Sequence, residues 1–363
     1  MTEGRVRQLR LLYANPSGGC NLACRHCWVA PGRQECTFEA RPPEEAELSP
    51  SGWGSILDEA LPLGLRTVKF TGGEPLARID FPEIWRQAAR RVRNLMVETN
   101  GTIVPAGLWE AWREAPPSFV SVSMDSADGA VHDSFRGAAG AWTAARSFAS
   151  SLAEAGIRFQ FVMSIEEPDL EGILAMADLS AEAGASSLAV NLVQPMGRGR
   201  GRAIDRTPIT GLVEFFHLLD RSTGPGVLLN VPPAFLPGRR LLDMMTCPVL
   251  DLLGILPDGS ISFCGIGFTH HDLVMGNART QGALAEAWTG SPLLESLRHD
   301  LEGPREQPCA SCMFLKSCNG NCAMGNFDGS GRFSSPDWIC RSAWEAGLFP
   351  QGRLVDGQAA APR

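Results

Sequence analysis

Three cysteines stand close together near the N-terminus, Cys20, Cys24 and Cys27 in GGCNLACRHCW, spaced C-x3-C-x2-C. Thiolates are soft ligands that select zinc, copper(I) and iron–sulfur clusters. Zinc would take a fourth protein ligand. His26 lies in the two-residue gap between Cys24 and Cys27, where joint ligation with both neighbours is geometrically difficult. Three thiolates from one loop can instead hold three corners of a [4Fe–4S] cube and leave the fourth iron open to a small molecule. Fully cysteinyl clusters use other spacings.

Seven more cysteines gather toward the C-terminus: Cys247, Cys264, Cys309, Cys312, Cys318, Cys322 and Cys340. Cys264 closes a G-x4-C pattern that starts at Gly259, and Cys309 to Cys322 reads C-x2-C-x5-C-x3-C. The C-x2-C spacing is common in zinc sites. Seven thiolates, however, do not divide into tetrahedral zinc sites, and the interlaced spacing is longer than a zinc ribbon needs. Cys36 fits no pattern and reads as a free thiol. The N-terminus has no long apolar run and no small-residue cleavage site, so the expected compartment is the cytoplasm. Thiols stay reduced there, which makes metal binding a better reading of 11 cysteines than disulfides.

These ligands need elements to position them. From about 8 to 195, strand and helix patterns alternate. The expected strands are LRLLYAN (9–15), TVKFTGG (67–73), NLMVETN (94–100), FVSVSMD (119–125), RFQFVMSI (158–165) and SLAVNLV (187–193). SGWGSILDEALPLG and AWTAARSFASSLAEAG read as helices between them. Such alternation predicts a parallel sheet or barrel. Strand periodicity puts Ser121, Ser123 and Asp125 on one face and Val120, Val122 and Met124 on the other. Thr67, Lys69 and Thr71 likewise oppose Val68 and Phe70, and Asn191 faces away from Val190 and Leu192. Outer helices would take the apolar faces. A filled barrel interior is branched and apolar, so the polar faces predict an open, partial barrel with a wet lumen.

The 363 residues suffice for two domains or one large one with an appendage, and 44% hydrophobic content allows a sizeable core. A formal charge of −8 without a basic stripe argues against a nucleic-acid partner. No apolar run is long enough to span a bilayer. The basic run GRGRGR at 197–202 reads first as a solvated loop and second as a contact to an anionic part of a substrate. The expected divisions are 1–202 for the barrel core, 203–245 for a connector around PPAFLPGRR, 246–345 for the cysteine-rich domain and 346–363 for a disordered tail.

The N-terminal pattern resembles the radical SAM superfamily: the three-cysteine loop follows the first strand, and an aromatic residue, Trp28, follows the last cysteine. TGGEP at 71–75 resembles the motif whose backbone and acid, here Gly72, Gly73 and Glu74, hold the methionine amino group of S-adenosylmethionine (SAM). ETNG at 98–101, with Asn100, and SVSMD at 121–125, with Ser121, Ser123 and Asp125, fall at the third and fourth strand ends. HDSFRG at 132–137 resembles a segment whose arginine, here Arg136, pairs with the methionine carboxylate. Adenine would lie near Asn191 and Leu192. The resemblance spans about residues 8–200 and implies a partial (β/α)6 barrel. The seven later cysteines resemble the SPASM domain, which carries two auxiliary [4Fe–4S] clusters. By that resemblance Cys247, Cys264 and Cys322 hold the first, and Cys309, Cys312, Cys318 and Cys340 the second. Some relatives have an eighth cysteine shortly after the first. Here PVLDLLGIL at 248–256 has none, which leaves the first auxiliary cluster a fourth position for a non-cysteine group, water or substrate. Asp251 is a conceivable ligand there but reads first as a loop carboxylate.

The resemblance implies three clusters and reductive cleavage of SAM by an electron from a ferredoxin or flavodoxin. The resulting 5′-deoxyadenosyl radical would remove a hydrogen atom from a substrate carbon, and an auxiliary cluster would take up the next electron. The net reaction would be an oxidation: a crosslink, a dehydrogenation or a carbonyl. No base is named. Anaerobic sulfatase-maturating enzymes place an aspartate directly after the G-x4-C cysteine, and Gly265 here counts against formylglycine formation. The only tyrosine, Tyr13, is set aside because it begins the first strand. Asp258, His270, His271 and Asp272 flank the first auxiliary site but read as turn and surface residues. The largest group of SPASM enzymes modifies ribosomally made peptides, a natural-product chemistry, and that is the first expectation. About ten residues precede the first strand, so no leader-binding domain is expected in the chain. A peptide would then need a separate leader-binding protein or be held by the catalytic domains alone. A small-molecule dehydrogenase, acting on an aminocyclitol or sugar, is the alternative. A non-catalytic Fe–S electron carrier is disfavoured, because TGGEP and the three-cysteine loop would have no purpose in it.

Overall fold

A computed structural model describes residues 7–29, 38–202, 204–238, 246–327 and 332–355. Cys36 lies outside these residues. The six expected strands form as β1 (Leu11–Ser17), β2 (Thr67–Gly72), β3 (Asn94–Thr99), β4 (Phe119–Ser123), β5 (Phe159–Ile165) and β6 (Leu188–Leu192). Each pairs in parallel with the next. The helices that follow them in the chain begin with α1 (Pro50–Ala60), α2 (Phe81–Ala89), α3 (Leu108–Glu114), α4 (Gly129–Arg136), α5 (Ala141–Glu154) and α6 (Leu170–Glu182).

The helices cover the apolar strand faces. Trp53, Trp85, Trp112 and Phe148 share one core with Val68, Phe70, Val120 and Val122. On the opposite faces, polar side chains bond between neighbouring strands: Lys69 pairs with Glu98, Thr71 Oγ1 donates to Glu98 Oε2 at 2.9 Å, and Gln160 Nε2 donates to Ser121 at 3.0 Å. Buried polar groups must find such partners or bear their full desolvation cost.

Two spans depart from the sequence reading. The described part of 203–245 is more than a connector. It holds α7 (Ile209–Ser222), which buries Leu212, Phe215, Phe216 and Leu219, and β7 (Val227–Asn230), which extends the sheet beside β6. Residues 346–355, read as the start of a tail, are packed: Phe349 is buried and Leu354 bridges Cys312. Residues 356–363 lie outside the described part.

The cysteine-rich region shares the sheet of the core. Its strands β8 (Leu252–Ile255), β9 (Ser260–Ser262) and β10 (Val274–Asn277) complete the order β10-β9-β8-β1-β2-β3-β4-β5-β6-β7. β8 runs parallel to β1, from Leu11↔Leu252 to Ala14↔Ile255. It thereby satisfies an edge that would otherwise expose unpaired backbone groups. That pairing carries Cys247 and Cys264, on either side of β8, to the lumen edge of β1.

Candidate iron–sulfur and cofactor site

The loop of Cys20, Cys24 and Cys27 follows β1 and rests on three supports. The first is the end of α4, which Asp128 caps by accepting from Ala130 N and Val131 N. The carbonyls of Arg136 and Phe135, in its last turn, accept from Ala23 N at 3.2 Å and Arg25 N at 3.1 Å. The second is the TGGEP turn, where Gly73 N donates to Ser17 O and Glu74 N to Gly19 O, both at 3.0 Å. A Cβ on Gly73 would stand 2.1 Å from Gly19 O, so this close approach admits only glycine. The third is the GRGRGR run, which folds back so that Arg198 N donates to Cys27 O at 2.9 Å and Arg198 Nε to Cys24 O at 2.8 Å. Both α4 and TGGEP were singled out in the sequence. The third support was read as a solvated loop, and only its spatial return to the cysteines reveals it.

Glu74 is buried, 1% exposed. Its Oε1 accepts from Leu76 N at 2.9 Å and Thr99 Oγ1 at 2.7 Å, and its Oε2 from Asn100 N at 2.7 Å. A carboxylate offers about four acceptor sites, so one site on Oε2 is free for a cofactor amine. Burial pushes its pKa up to about 7 against the pull of those donors. Asn100 Nδ2 reaches Asn21 Oδ1 at 2.9 Å and Cys20 Sγ at 3.8 Å. Asn21 is a contact that the sequence did not signal.

Arg136 and Asp125 are buried together, with Nε 2.5 Å from Asp125 Oδ2, and Arg136 Nη1 lies 3.7 Å from Cys24 Sγ. Burial holds the Asp125 carboxyl above the usual range, although Arg136 opposes it. Asp125 N donates to His132 Nδ1 at 3.1 Å, and burial pulls the His132 pKa down to about 3, so that ring is a neutral acceptor. Ser123 is half-buried at the end of β4. Asn191 accepts from Asn230 of β7 at 3.2 Å, and Leu192 beside it is buried.

The later cysteines fall into two groups. Cys309, Cys312, Cys318 and Cys340 line one cavity, with Pro308 and Phe314. Cys322 raises the pKa of both Cys247 and Cys264 through its charge, so these three thiols lie within electrostatic reach of one another. Asp251 is held by Arg7 at 3.1 Å, which fits its reading as a loop carboxylate. Asp258 accepts from Ser260 N at 2.9 Å as a turn residue does.

The donor set fits iron–sulfur ligation. All ten described cysteines are free thiols. Backbone amides approach their sulfurs: Leu22 N to Cys20 at 3.4 Å, Phe314 N to Cys312 at 3.5 Å, Asn321 N to Cys318 at 3.2 Å and Gly325 N to Cys322 at 3.3 Å. Hydrogen bonds to cluster sulfurs are among the features that set cluster potentials. In the metal-free chain, burial pushes Cys20, Cys247 and Cys318 up to about 12 and Cys309 up to about 11. Ligation would therefore release protons. Among the described residues, no three or more His, Cys, Asp or Glu side chains are grouped to hold a single metal ion.

Two aromatic residues tie the sites together. Tyr13, set aside in the sequence, faces the lumen. Lys69 Nζ lies 5.1 Å from its ring centroid. Burial pushes its hydroxyl pKa up to about 12, with Cys247 and Cys264 close enough to add to the effect. The position looked remote because β8 reaches β1 only through the sheet. Trp28 bridges from the first cysteine loop to the residue after Cys264: a Cβ on Gly265 would stand 2.8 Å from Trp28 Cη2. The indole thus fills the space that an aspartate at 265 would enter. Because that indole is 38% exposed and meets position 265 with its outer edge, Gly265→Asp is expected to displace it at a cost of about 1 kcal/mol or less, and still less in a Trp28→Ala background. A double-mutant cycle on thermal denaturation measures this coupling. Additive penalties would show that the indole is not the obstacle.

Comparison with known proteins agrees with this architecture. A model of the radical SAM superfamily matches residues 14–179, and a model of the SPASM iron–sulfur cluster-binding domain matches residues 247–313. The chain carries a radical SAM domain followed by a SPASM domain. The AdoMet-dependent heme synthase of Oleidesulfovibrio alaskensis is 25% identical over 91% of this chain and 87% of its own length. The mycofactocin maturase MftC of Mycolicibacterium smegmatis is 26% identical over 92% of this chain and 83% of its own. Among solved structures, Streptococcus suis SuiB bound to its precursor peptide SuiA superposes with a TM-score of 0.69 at 18% identity, covering 93% of this chain and 76% of SuiB. The anSMEcpe structure with bound AdoMet and a peptide gives 0.67 at 16% identity, covering 95% and 98%. This radical SAM/SPASM enzyme has, among its described residues, no helix long and apolar enough to cross a membrane.

Proposed function

We propose that this radical SAM/SPASM enzyme cleaves SAM reductively beside Cys20, Cys24 and Cys27 and turns the 5′-deoxyadenosyl radical on a carbon of a ribosomally made peptide. The peptide loses one hydrogen atom to the radical, one electron to an auxiliary cluster and one proton to a base, a net two-electron oxidation such as a crosslink. When bound, three [4Fe–4S] clusters supply the one-electron transfers. The chain's residues bind and orient: the free acceptor site of Glu74 takes the methionine amine, and Arg136 the carboxylate. Gly72, Gly73, Asn100, Ser121, Ser123 and Asp125 shape the cofactor's bed, and Trp28, Asn191 and Leu192 flank adenine.

The observation that carries this reading is the shared site: the three-thiol loop and the Cys247–Cys264 pair border one polar lumen and touch through Trp28 and Gly265. Substrate held between them would meet the radical on one side and an electron acceptor on the other. The maturase relative MftC supports a peptide as substrate, in which case a separate leader-binding protein is a partner. The heme synthase relatives favour a second reading, oxidation of a small molecule such as a tetrapyrrole.

The test uses anaerobically reconstituted protein with reductant, SAM and deuterated candidates, either peptides encoded beside the gene or porphyrins and aminocyclitols. Deuterium in 5′-deoxyadenosine, with loss of two hydrogens from a peptide, is the expected result. Deuterium transfer only from a small molecule would replace the peptide reading. No cleavage of SAM at all would leave the electron-carrier reading.

A further inference from the structure

The cavity of Cys309, Cys312, Cys318 and Cys340 has a charged member that no spacing motif signals. Arg305 lines it too and is buried, 9% exposed. One side of its guanidinium is tied down: Nε donates to Ser334 O at 2.9 Å. The other side is not. Nη2 is buried and has no hydrogen-bond partner among the described residues. It lies against Gly320, which stands between Cys318 and Cys322 in the chain: a Cβ there would be 3.1 Å from Nη2. Burial pushes the Cys309 thiol up to about 11, and the charge of Arg305 pulls against that rise. Asp337, a buried acid whose charge acts on Cys340, Cys309 and Cys318, is already engaged. It accepts from Asn321 Nδ2 at 3.0 Å and from Ile339 N at 2.9 Å.

A buried N–H without an acceptor bears its full desolvation cost, and a charged one bears more. Arginine keeps its proton in proteins, so Arg305 has no neutral form to fall back on. The cavity therefore needs an acceptor of negative charge. Four thiolates around an iron–sulfur core supply one, and their sulfurs accept hydrogen bonds. Resting on the function proposed above only for the presence of that cluster, we infer that Arg305 Nη2 donates a charge-assisted hydrogen bond to a sulfur of the second auxiliary cluster and raises its reduction potential. One-electron reduction adds one negative charge to the cluster, and a buried cation in contact favours the more negative state. Net charge and hydrogen bonds to sulfur are the features that set such potentials. A higher potential favours electron transfer onto this cluster.

The test uses anaerobically loaded, full-length protein whose iron and sulfide are counted first. Wild type labelled with guanidino-15N arginine is reduced and read by pulsed electron paramagnetic resonance. Cys312→Ser marks the second auxiliary cluster by altering its signal. The expected result is a 15N coupling on that signal, lost in labelled Arg305→Lys. Redox titration then gives the midpoint potential of each cluster. In Arg305→Gln the reduction constant of the second auxiliary cluster should fall about tenfold, which is about 59 mV for one electron. The other two clusters should move by less than about a third of that. Arg305→Lys keeps the charge but not the planar fork, and should recover part of the loss. Absence of the 15N coupling in iron-replete wild type would overturn the inference, even if Arg305→Gln fails to load its cluster. So would an unchanged potential in a loaded Arg305→Gln, or an equal shift at all three clusters. Iron counts that show no cluster at these four thiols would sink the cluster assignment in the proposed function, and this inference with it. SAM cleavage does not enter the readout, so the failure of that activity would leave the assignment of Arg305 to be decided by the spectra.

Discussion

Replacing Cys20, Cys24 and Cys27 together by alanine will abolish SAM cleavage, with production of 5′-deoxyadenosine from dithionite-reduced protein falling at least ~10³-fold, about 4 kcal/mol in the barrier. Among the described residues the loop offers three thiols and no fourth protein ligand of suitable geometry. Iron bound at Cys247, Cys264 and Cys322 and at the cavity of Cys309, Cys312, Cys318 and Cys340 should remain, since those cysteines are supplied by other segments of the chain. Chromatography of the reaction together with iron and sulfide counts and electron paramagnetic resonance measures both halves. Retained cleavage would remove the reaction class. Loss of all iron would instead show that the sites do not assemble independently.

Gly73→Ala should also lower activity, though by less, and it removes no ligand. The added methyl would stand 2.1 Å from Gly19 O, and the obstacle is backbone that cannot rotate away. Either the TGGEP turn or the cysteine loop must shift, and the bond from Glu74 N to Gly19 O is strained with it. Overpacking of this kind costs about 1–3 kcal/mol or more. Misplacing a reacting group by about 1 Å can cost ~10²-fold in rate. The expected outcome is a lowered Tm together with at least a ~10-fold loss of SAM cleavage, larger than the loss in KM for SAM. Wild-type cleavage in this variant would mean that the turn and the loop are not mechanically coupled.

Much of this was legible beforehand because it is local. A strand's faces alternate residue by residue, so Ser121 and Thr71 declare a polar side and Val120 and Phe70 an apolar one without knowledge of their neighbours. Ligand spacing such as C-x3-C-x2-C is likewise short-range. Glu74 shows where such reading thins. Its motif was plain, but its bonds to Thr99 and Asn100 come from the next strand, and they decide how much of the carboxylate is left for a cofactor. The span 203–245 misled for a related reason: β7 is four residues long and half-buried, too short to show a period, and it exists because β6 offers an edge.

The sequence by itself therefore determined the chemistry available to this protein: soft thiolate ligands in two regions, a strand–helix repeat with a polar lumen, and an acidic chain with a basic run at 197–202. Only the tertiary structure decided what stands beside what. Pairing of β8 with β1 carries Cys264 to Tyr13 across some 250 residues of sequence, and the return of 197–202 sets Arg198 on Cys24. Contacts of that kind follow from sheet edges being satisfied and apolar faces being covered, which depend on every other element at once and leave no mark in a window of neighbouring residues.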